Sequence, residues 1–107
     1  MKNENLKSKI ISLLNEWRQN RVDVDIIISN AEYFLENQKI SYSEKEIDVL
    51  NLLEIAHYQL VVVDDVPFIL KYLEDKSLNK QDWKNYWDQI NYEDRKLELK
   101  GNKYYSI

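Results

Sequence analysis

Residues 43–60 of this chain read SEKEIDVLNLLEIAHYQL, and this stretch decides the fold class. Its apolar residues recur at three- and four-residue intervals, which is the spacing of one face of an α-helix. Ser43 and Glu46 match a capping box, in which the two side chains reciprocally accept backbone N–H groups. More than half of the helix circumference is apolar, through Ile47, Leu50, Leu53, Ile55, Ala56 and Leu60. We therefore predict a helix over 47–60 at the centre of the domain.

The sequence before this helix predicts two more helices. Apolar residues at helical spacing indicate the first over 5–20. Asp23 then offers an N-cap, because its carboxylate can accept a hydrogen bond from a free amide of the next turn. The β-branched run 24–28 would also fit a short strand. The run 30–36, Asn-Ala-Glu-Tyr-Phe-Leu-Glu, favours a second helix instead.

Start signals indicate two helices after the central one. Asp64-Asp65-Val66-Pro67 suits a helix start, because carboxylates near the cap and proline in the first turn both favour a helix N-terminus. Asn79 or Ser77 would cap the next helix. That helix carries Trp83, Tyr86, Trp87 and Ile90.

The C-terminal end is less regular in sequence. Beyond residue 91 a last short helix competes with a brief extended segment, since Leu97 and Leu99 alternate with charged residues. Gly101-Asn102 indicates a turn, and 103–107 indicates a short irregular tail.

Together these elements predict one all-α domain over 1–107, a bundle of five or six helices. Gly and Pro occur once each, and this scarcity of turn residues argues against an all-β fold. A chain of 107 residues is long enough for one shared core and too short for two. The core is expected to include Ile10, Leu14, Trp17, Ile28, Leu35, Leu50, Leu53, Ile69, Leu70 and Leu73.

Composition points to a soluble protein of the reducing cytoplasm. There is no cysteine, which excludes disulfides, thiolate chemistry and zinc sites with cysteine ligands. Residues 1–14 are too polar for the apolar run of a signal peptide. The longest apolar run, 60–63, is far shorter than a membrane span.

Charge is distributed unevenly along the chain, which has a formal net charge of −4. The middle, 23–94, contains six basic and sixteen acidic residues, while 1–22 and 95–107 each carry a net charge of +3. An acidic middle repels nucleic-acid phosphates, so counterion release cannot favour binding there. It would attract a basic protein and speed the encounter with it.

Candidate catalytic and metal sites are few. Glu54-x-x-His57 would place both side chains on one helix face, but di-iron bundles need this motif twice and His57 is the only histidine. We expect a half-buried His57 bonded to a neighbour. Asp64 and Asp65 are interpreted as helix caps in preference to an acid–base pair or a cation site. One glycine cannot build a phosphate-binding loop, so we predict no catalysis, no cofactor and no metal.

Aromatic residues concentrate at the C-terminal end, where six of the thirteen lie in the last 25 residues. Trp83 and Trp87 share one helix face with Tyr86 beside them. Core packing would explain them, and an exposed member would suit a protein interface. Bases could also stack on such a platform. Surrounding carboxylates argue against nucleic acid: Asp82, Asp88, Glu93 and Asp94.

Three short patterns follow one another along residues 6–73: Leu14-x-x-Trp17, Leu50-x-x-Leu53 and Asp64-Asp65-Val66-Pro67-x-Ile69-Leu70-x-x-Leu73. This arrangement resembles small bacterial helical proteins of unknown function, some of which are similar to immunity proteins encoded beside polymorphic or contact-dependent toxins. The resemblance implies a cytoplasmic protein that blocks a toxin by occupying its surface. It transfers no functional residue to this chain.

We therefore expect a non-enzymatic protein-binding domain that docks a basic partner, with an immunity-type inhibitor as its leading form. The alternative is a helical adaptor or a self-associating, homodimeric subunit that uses its aromatic end. Neither a membrane nor nucleic acid is an expected partner. The expected partner-binding residues are Asp23, Asp25, Glu32, Glu36, Glu44, Glu46, Asp48, Asp64, Asp65, Trp83, Tyr86 and Trp87.

Overall fold

A computed structural model describes residues 6–37 and 43–105, and the regular structure within them is helical throughout. The helices are α1 (Leu6–Arg18), α2 (Val24–Glu36), α3 (Glu44–Leu53), α4 (Ala56–Gln59), α5 (Val66–Glu74), α6 (Lys80–Asp88) and α7 (Tyr92–Leu99), and a 3-10 turn (Val63–Asp65) precedes α5. The all-α prediction is confirmed. These residues form seven α-helices where five or six were expected.

Local capping explains where most of these helices begin. The side chains of Asp23, Ser43, Asn79 and Asn91 each accept a hydrogen bond from the amide three residues on, at 3.0–3.2 Å. The predicted capping box at Ser43 is present, because Glu46 also accepts the Ser43 N–H. Asn79 caps α6, whereas Ser77 bonds to Asp75. Residues 24–28 are helical, so the strand alternative was wrong.

The predicted central helix is broken into two. The α-helical conformation stops after Leu53, and Ile55 has φ −119° and ψ 28°. The single turn of α4 then ends at Leu60, which adopts the left-handed conformation with φ 55°. This reversal directs Leu60 and Val61 into the core. Ile47 and Ile55 are 36% and 37% exposed, because they lie outside the stripe that faces the neighbouring helices.

The core lies where α1, α2, α3 and α5 meet. Helix α2 packs on α1 and α3, and α5 packs on the same two helices. Seven of the ten predicted core residues are buried: Ile10, Leu14, Trp17, Leu50, Leu53, Ile69 and Leu73. The other three, Ile28, Leu35 and Leu70, are only half-buried, because they lie at the edges of the buried faces of their helices.

The C-terminal segment is helical and then packed. Leu97 and Leu99 belong to α7, so the extended alternative was wrong. Gly101, with φ 86°, makes the predicted turn. Tyr104 and Tyr105 then pack against the core, and the Tyr105 hydroxyl donates to the Val61 carbonyl at 2.7 Å. The expected irregular tail is thus held in place as far as residue 105, and 106–107 lie outside the described residues.

None of the helices in 6–37 and 43–105 has the length and apolar content needed to cross a bilayer.

Candidate protein-binding surface

Asp65 is completely buried at the end of the 3-10 turn. Its carboxylate accepts hydrogen bonds from the Val62 N–H at 2.9 Å and the Tyr86 hydroxyl at 2.8 Å. The Arg95 guanidinium donates two more, each at 2.7 Å, in the bidentate arrangement that suits this pair of groups. Asp65 therefore joins the 3-10 turn to α6 and α7. It is not available to a partner, and it makes no side-chain cap at the start of α5.

Asp48 is a second carboxylate that serves the interior. It is 9% exposed, accepts the Tyr72 hydroxyl at 2.7 Å and accepts the Lys80 ammonium at 2.6 Å. Burial and this carboxylate both raise the pKa of Tyr72 well above its usual value. Asp48 was expected on a partner surface, and that expectation was wrong because Tyr72 and Lys80 cover it.

The three aromatic residues expected as anchors also face inward. Trp83 and Trp87 are 8% and 9% exposed. Tyr86 is half-buried and stacks on Phe68, with ring centroids 3.9 Å apart. Burial, followed by the bond to Asp65, raises the pKa of Tyr86 to about 12. Core packing is thus the arrangement adopted, because Trp83 and Tyr86 stack on Phe68 of α5 and Trp87 meets the same ring edge-on.

The other acidic residues divide between caps and the exposed surface. Asp23 and Glu46 use their carboxylates at the starts of α2 and α3. Glu44 and Asp64 are exposed. Asp25, Glu32 and Glu36 are exposed as well, and all three belong to α2.

Helix α2 presents an exposed face that combines carboxylates with apolar groups. We define the α2 face by its six exposed residues: Asp25, Ile26, Ser29, Glu32, Tyr33 and Glu36. Ile26 and Tyr33 are seven residues apart and form one stripe, 42% and 63% exposed. Asp25 and Glu32 have the same spacing and form a parallel stripe, which Glu36 extends. The face is therefore amphipathic although it points away from the core.

The carboxylates of the α2 face have no partner within 6–37 and 43–105. No hydrogen bond or ion pair engages Asp25, Glu32 or Glu36 there. The helix itself contains three acidic residues and no basic one. Glu32 and Glu36 are a like-charge i,i+4 pair, which destabilises a helix by about 0.2–0.5 kcal/mol. Glu36 also lies at the C-terminal end, where the helix dipole disfavours negative charge. Helix stability therefore does not account for Glu32 and Glu36, whereas Asp25 lies in the first turn, where the helix dipole favours a carboxylate.

A groove opens at the N-terminal end of the α2 face, with a volume of about 560 Å³. Volumes of about 300–1,000 Å³ are usual for ligand pockets. Its apolar lining includes Val22, Ile26, Val63, Leu99, Tyr104 and Tyr105. Ile26 belongs to both the groove and the α2 face, so the two form one continuous surface.

Sequence reasoning missed the apolar half of this surface. Ile26 and Tyr33 were named neither as core nor as partner-binding residues, and their seven-residue spacing was the available signal. Tyr104 and Tyr105 were assigned to a tail. Their position depends on the distant contact with Val61, which no local pattern reveals.

His57 makes no site of the kind that the Glu54-x-x-His57 pattern suggested. Its Nδ1 atom is buried without a hydrogen-bond partner in the described residues, so the expected bond to a neighbour is absent there. Its ring instead lies against Tyr58, with centroids 4.0 Å apart. Within the same residues, no three histidine, cysteine or acidic side chains come together as a metal ligand set.

Comparison with known proteins adds no relative to this description. No family model, curated protein or solved structure matches the chain.

Proposed function

We propose that this chain is a non-enzymatic protein-binding domain that docks a basic partner through the α2 face. The observation that supports this most directly is the row formed by Asp25, Glu32 and Glu36. Glu32 and Glu36 oppose helix stability, and none of the three carboxylates has a partner in the described residues. A cationic partner would reverse both effects, because its Lys or Arg side chains would screen the repulsion.

The apolar stripe supports docking in preference to a merely solubilising surface. Ile26 and Tyr33 lie beside the carboxylate row, and both are large and exposed. Interface energy concentrates in such side chains once water is excluded around them, and tyrosine is an enriched residue type. Charges at the rim then steer the encounter. Ile26 and Tyr33 thus replace Trp83 and Trp87 as the proposed anchors.

An inhibitor of immunity type is the specific form that we propose. Fixed carboxylates on a preformed helix raise association rates, and fast capture is what an inhibitor of a basic toxin needs. This form is favoured by the same face and by the sequence resemblance stated above.

The test is to capture partners from host cells with the wild-type chain and with D25N/E32Q/E36Q. A matched control, E74Q/D94N/E98Q, removes three exposed carboxylates from α5 and α7. We expect a basic protein that the wild type and the control retain. With the purified partner, the D25N/E32Q/E36Q variant should associate about 10-fold more slowly at low salt.

Each other outcome argues against the proposal. Equal association rates of the wild type and the D25N/E32Q/E36Q variant would show that this carboxylate row has no part in binding. Recovery of nucleic acid alone would exclude a protein partner. If light scattering showed only a stable dimer of the chain, self-association would replace docking of a basic partner.

A further inference from the structure

We infer that the groove at the end of the α2 face takes a large apolar side chain of the same partner, placed at one end of a basic segment. This inference rests on the proposed function and specifies the partner's chemistry. Ile26 connects the two parts, since its side chain lines the groove and stands on the α2 face. A segment lying along the carboxylate row therefore reaches the groove directly.

The groove walls are fixed by hydrogen bonds of the chain itself. On one side the turn after α1 is closed by the Asn20 N–H bond to Trp17 and the Arg21 N–H bond to Glu16, at 3.0 and 2.9 Å. On the other side the Asn102 N–H donates to the Leu99 carbonyl at 2.9 Å. A preformed pocket of this kind requires little ordering when it is filled, which favours binding of an anchor.

The C-terminal wall is tied to the body of the molecule as well. The Tyr105 hydroxyl donates to the Val61 carbonyl, and the Tyr104 N–H donates to Asn102 Oδ1 at 2.9 Å. Burial, followed by the charge of Asp65, raises the pKa of Tyr105 to about 12. The hydroxyl therefore keeps its proton and this contact at alkaline pH values at which an exposed tyrosine ionises.

Charge around the groove is asymmetric, and this determines on which side of the anchor the partner's cations lie. Asp23 lies in the wall that leads to Asp25 and the rest of the row, and the Arg21 guanidinium in the same wall is paired with the Glu16 carboxylate at 3.1 Å. On the opposite wall, the Lys103 ammonium lies 5.1 Å from the centre of the Tyr104 ring. Cations of the partner would be repelled on that side. They should therefore lie only on the side of the anchor that faces Glu36.

The length of the row sets the length of the basic segment. Ten residues separate Ile26 from Glu36, which is about 15 Å along a helix. An extended chain covers that distance in about five residues. The minimal partner segment is thus one large apolar residue followed or preceded by about five residues that include several lysines.

The experiment uses synthetic peptides and amide chemical-shift mapping of the intact chain. The probe is Trp-Lys-Ser-Lys-Ser-Lys, together with its reversed order. One control replaces tryptophan with alanine and another replaces the lysines with glutamate. We expect the better-binding order to shift amides of both the α2 face and the groove. The alanine peptide should shift the α2 face alone and bind about 30-fold more weakly.

Two variants separate the two parts of the surface. Tyr104→Ala removes a half-buried wall residue and should abolish the advantage of tryptophan over alanine while leaving the lysine-dependent shifts. The E32Q/E36Q variant should weaken both peptides. If tryptophan and alanine peptides bind equally at the α2 face, the groove inference is wrong and the proposed function stands. If no lysine peptide shifts the α2 face, the proposed function is wrong, and the groove inference that rests on it is wrong as well.

Discussion

Two groups of carboxylates in this molecule have opposite surroundings. Asp65 is fully buried, and its oxygens accept four hydrogen bonds from Val62, Tyr86 and Arg95. Asp25, Glu32 and Glu36 are exposed and have no partner in the described residues. Removing one partner of a buried pair leaves an uncompensated charge, whereas an exposed carboxylate remains solvated. The buried carboxylate therefore contributes to the stability of the fold, whereas the exposed carboxylates are available to bind a partner.

The largest effect is expected at Asp65. Asp65→Asn should lower the free energy of unfolding by about 3–5 kcal/mol, because the Arg95 side chain, only 15% exposed, would be left without its counter-ion. Urea denaturation followed by circular dichroism measures the change. The adjacent and exposed Asp64 is the matched control, and Asp64→Asn should stay within about 0.5 kcal/mol. Equal effects at the two positions would contradict the assignment of Asp65 as a structural residue.

A smaller loss is expected at Asp48, whose partner Lys80 is exposed to solvent. Asp48→Ala should cost about 1–3 kcal/mol, since it leaves the buried Tyr72 hydroxyl without an acceptor. Asp88→Ala breaks an exposed pair with Lys84 and should cost less than about 1 kcal/mol. Adding Tyr72→Phe to the Asp48 variant should recover part of the loss. A fully additive double variant would show that the two side chains are not coupled.

Stability is also expected to fall at alkaline pH, because buried tyrosines of the folded state ionise at higher pH than the exposed tyrosines of the unfolded state. The pKa values of Tyr86 and Tyr105 are raised to about 12, first by burial. Between pH 10 and 12 the unfolded tyrosines lose protons that the folded ones keep, so stability falls as pH rises. The slope is at most about 1.4 kcal/mol per pH unit for each tyrosine. Urea denaturation of Tyr86→Phe at each pH should give a shallower decline, and an unchanged decline would count against this cause.

The smallest effect is expected on the α2 face. Glu36→Gln should leave stability unchanged or raise it by about 0.2–0.5 kcal/mol, because it removes a like-charge pair with Glu32. The gain should vanish in high salt, which screens exposed charges. Thermal unfolding at low and high ionic strength measures it. A loss of stability at low salt would reveal an intramolecular role for Glu36.

The sequence predicted features that depend on neighbours a few residues away. The caps at Asp23, Ser43 and Asn79 each involve an amide three residues later. Amphipathic spacing placed seven of the ten predicted core residues correctly for the same reason, because one helix face repeats every three to four residues. Local rules of this kind determined the all-α class.

Features that depend on distant residues were missed. Arg95 is thirty residues from Asp65, and no local pattern pairs them. The inward orientation of Trp83 and Trp87 depends on Phe68 in another helix. The breadth of the apolar sector in 47–60 concealed the break before α4, because the pattern alone does not show which apolar residues meet a neighbour. Asp25, Glu32 and Glu36 were named among the expected partner-binding residues, but neither their alignment as one row nor the apolar stripe beside them was predicted.

The buried pair of Asp65 and Arg95 also has a consequence for folding kinetics. Exposed ion pairs contribute little, so this pair gains its strength only after the 3-10 turn, α6 and α7 have closed around it. Contacts that form after the transition state mainly slow unfolding and scarcely affect the folding rate. In a chevron analysis, Asp65→Asn should therefore raise the unfolding rate, which shortens the lifetime of the native state. The refolding rate should stay nearly unchanged. The Asp65–Arg95 pair would then give the C-terminal third of the molecule kinetic stability by slowing its unfolding.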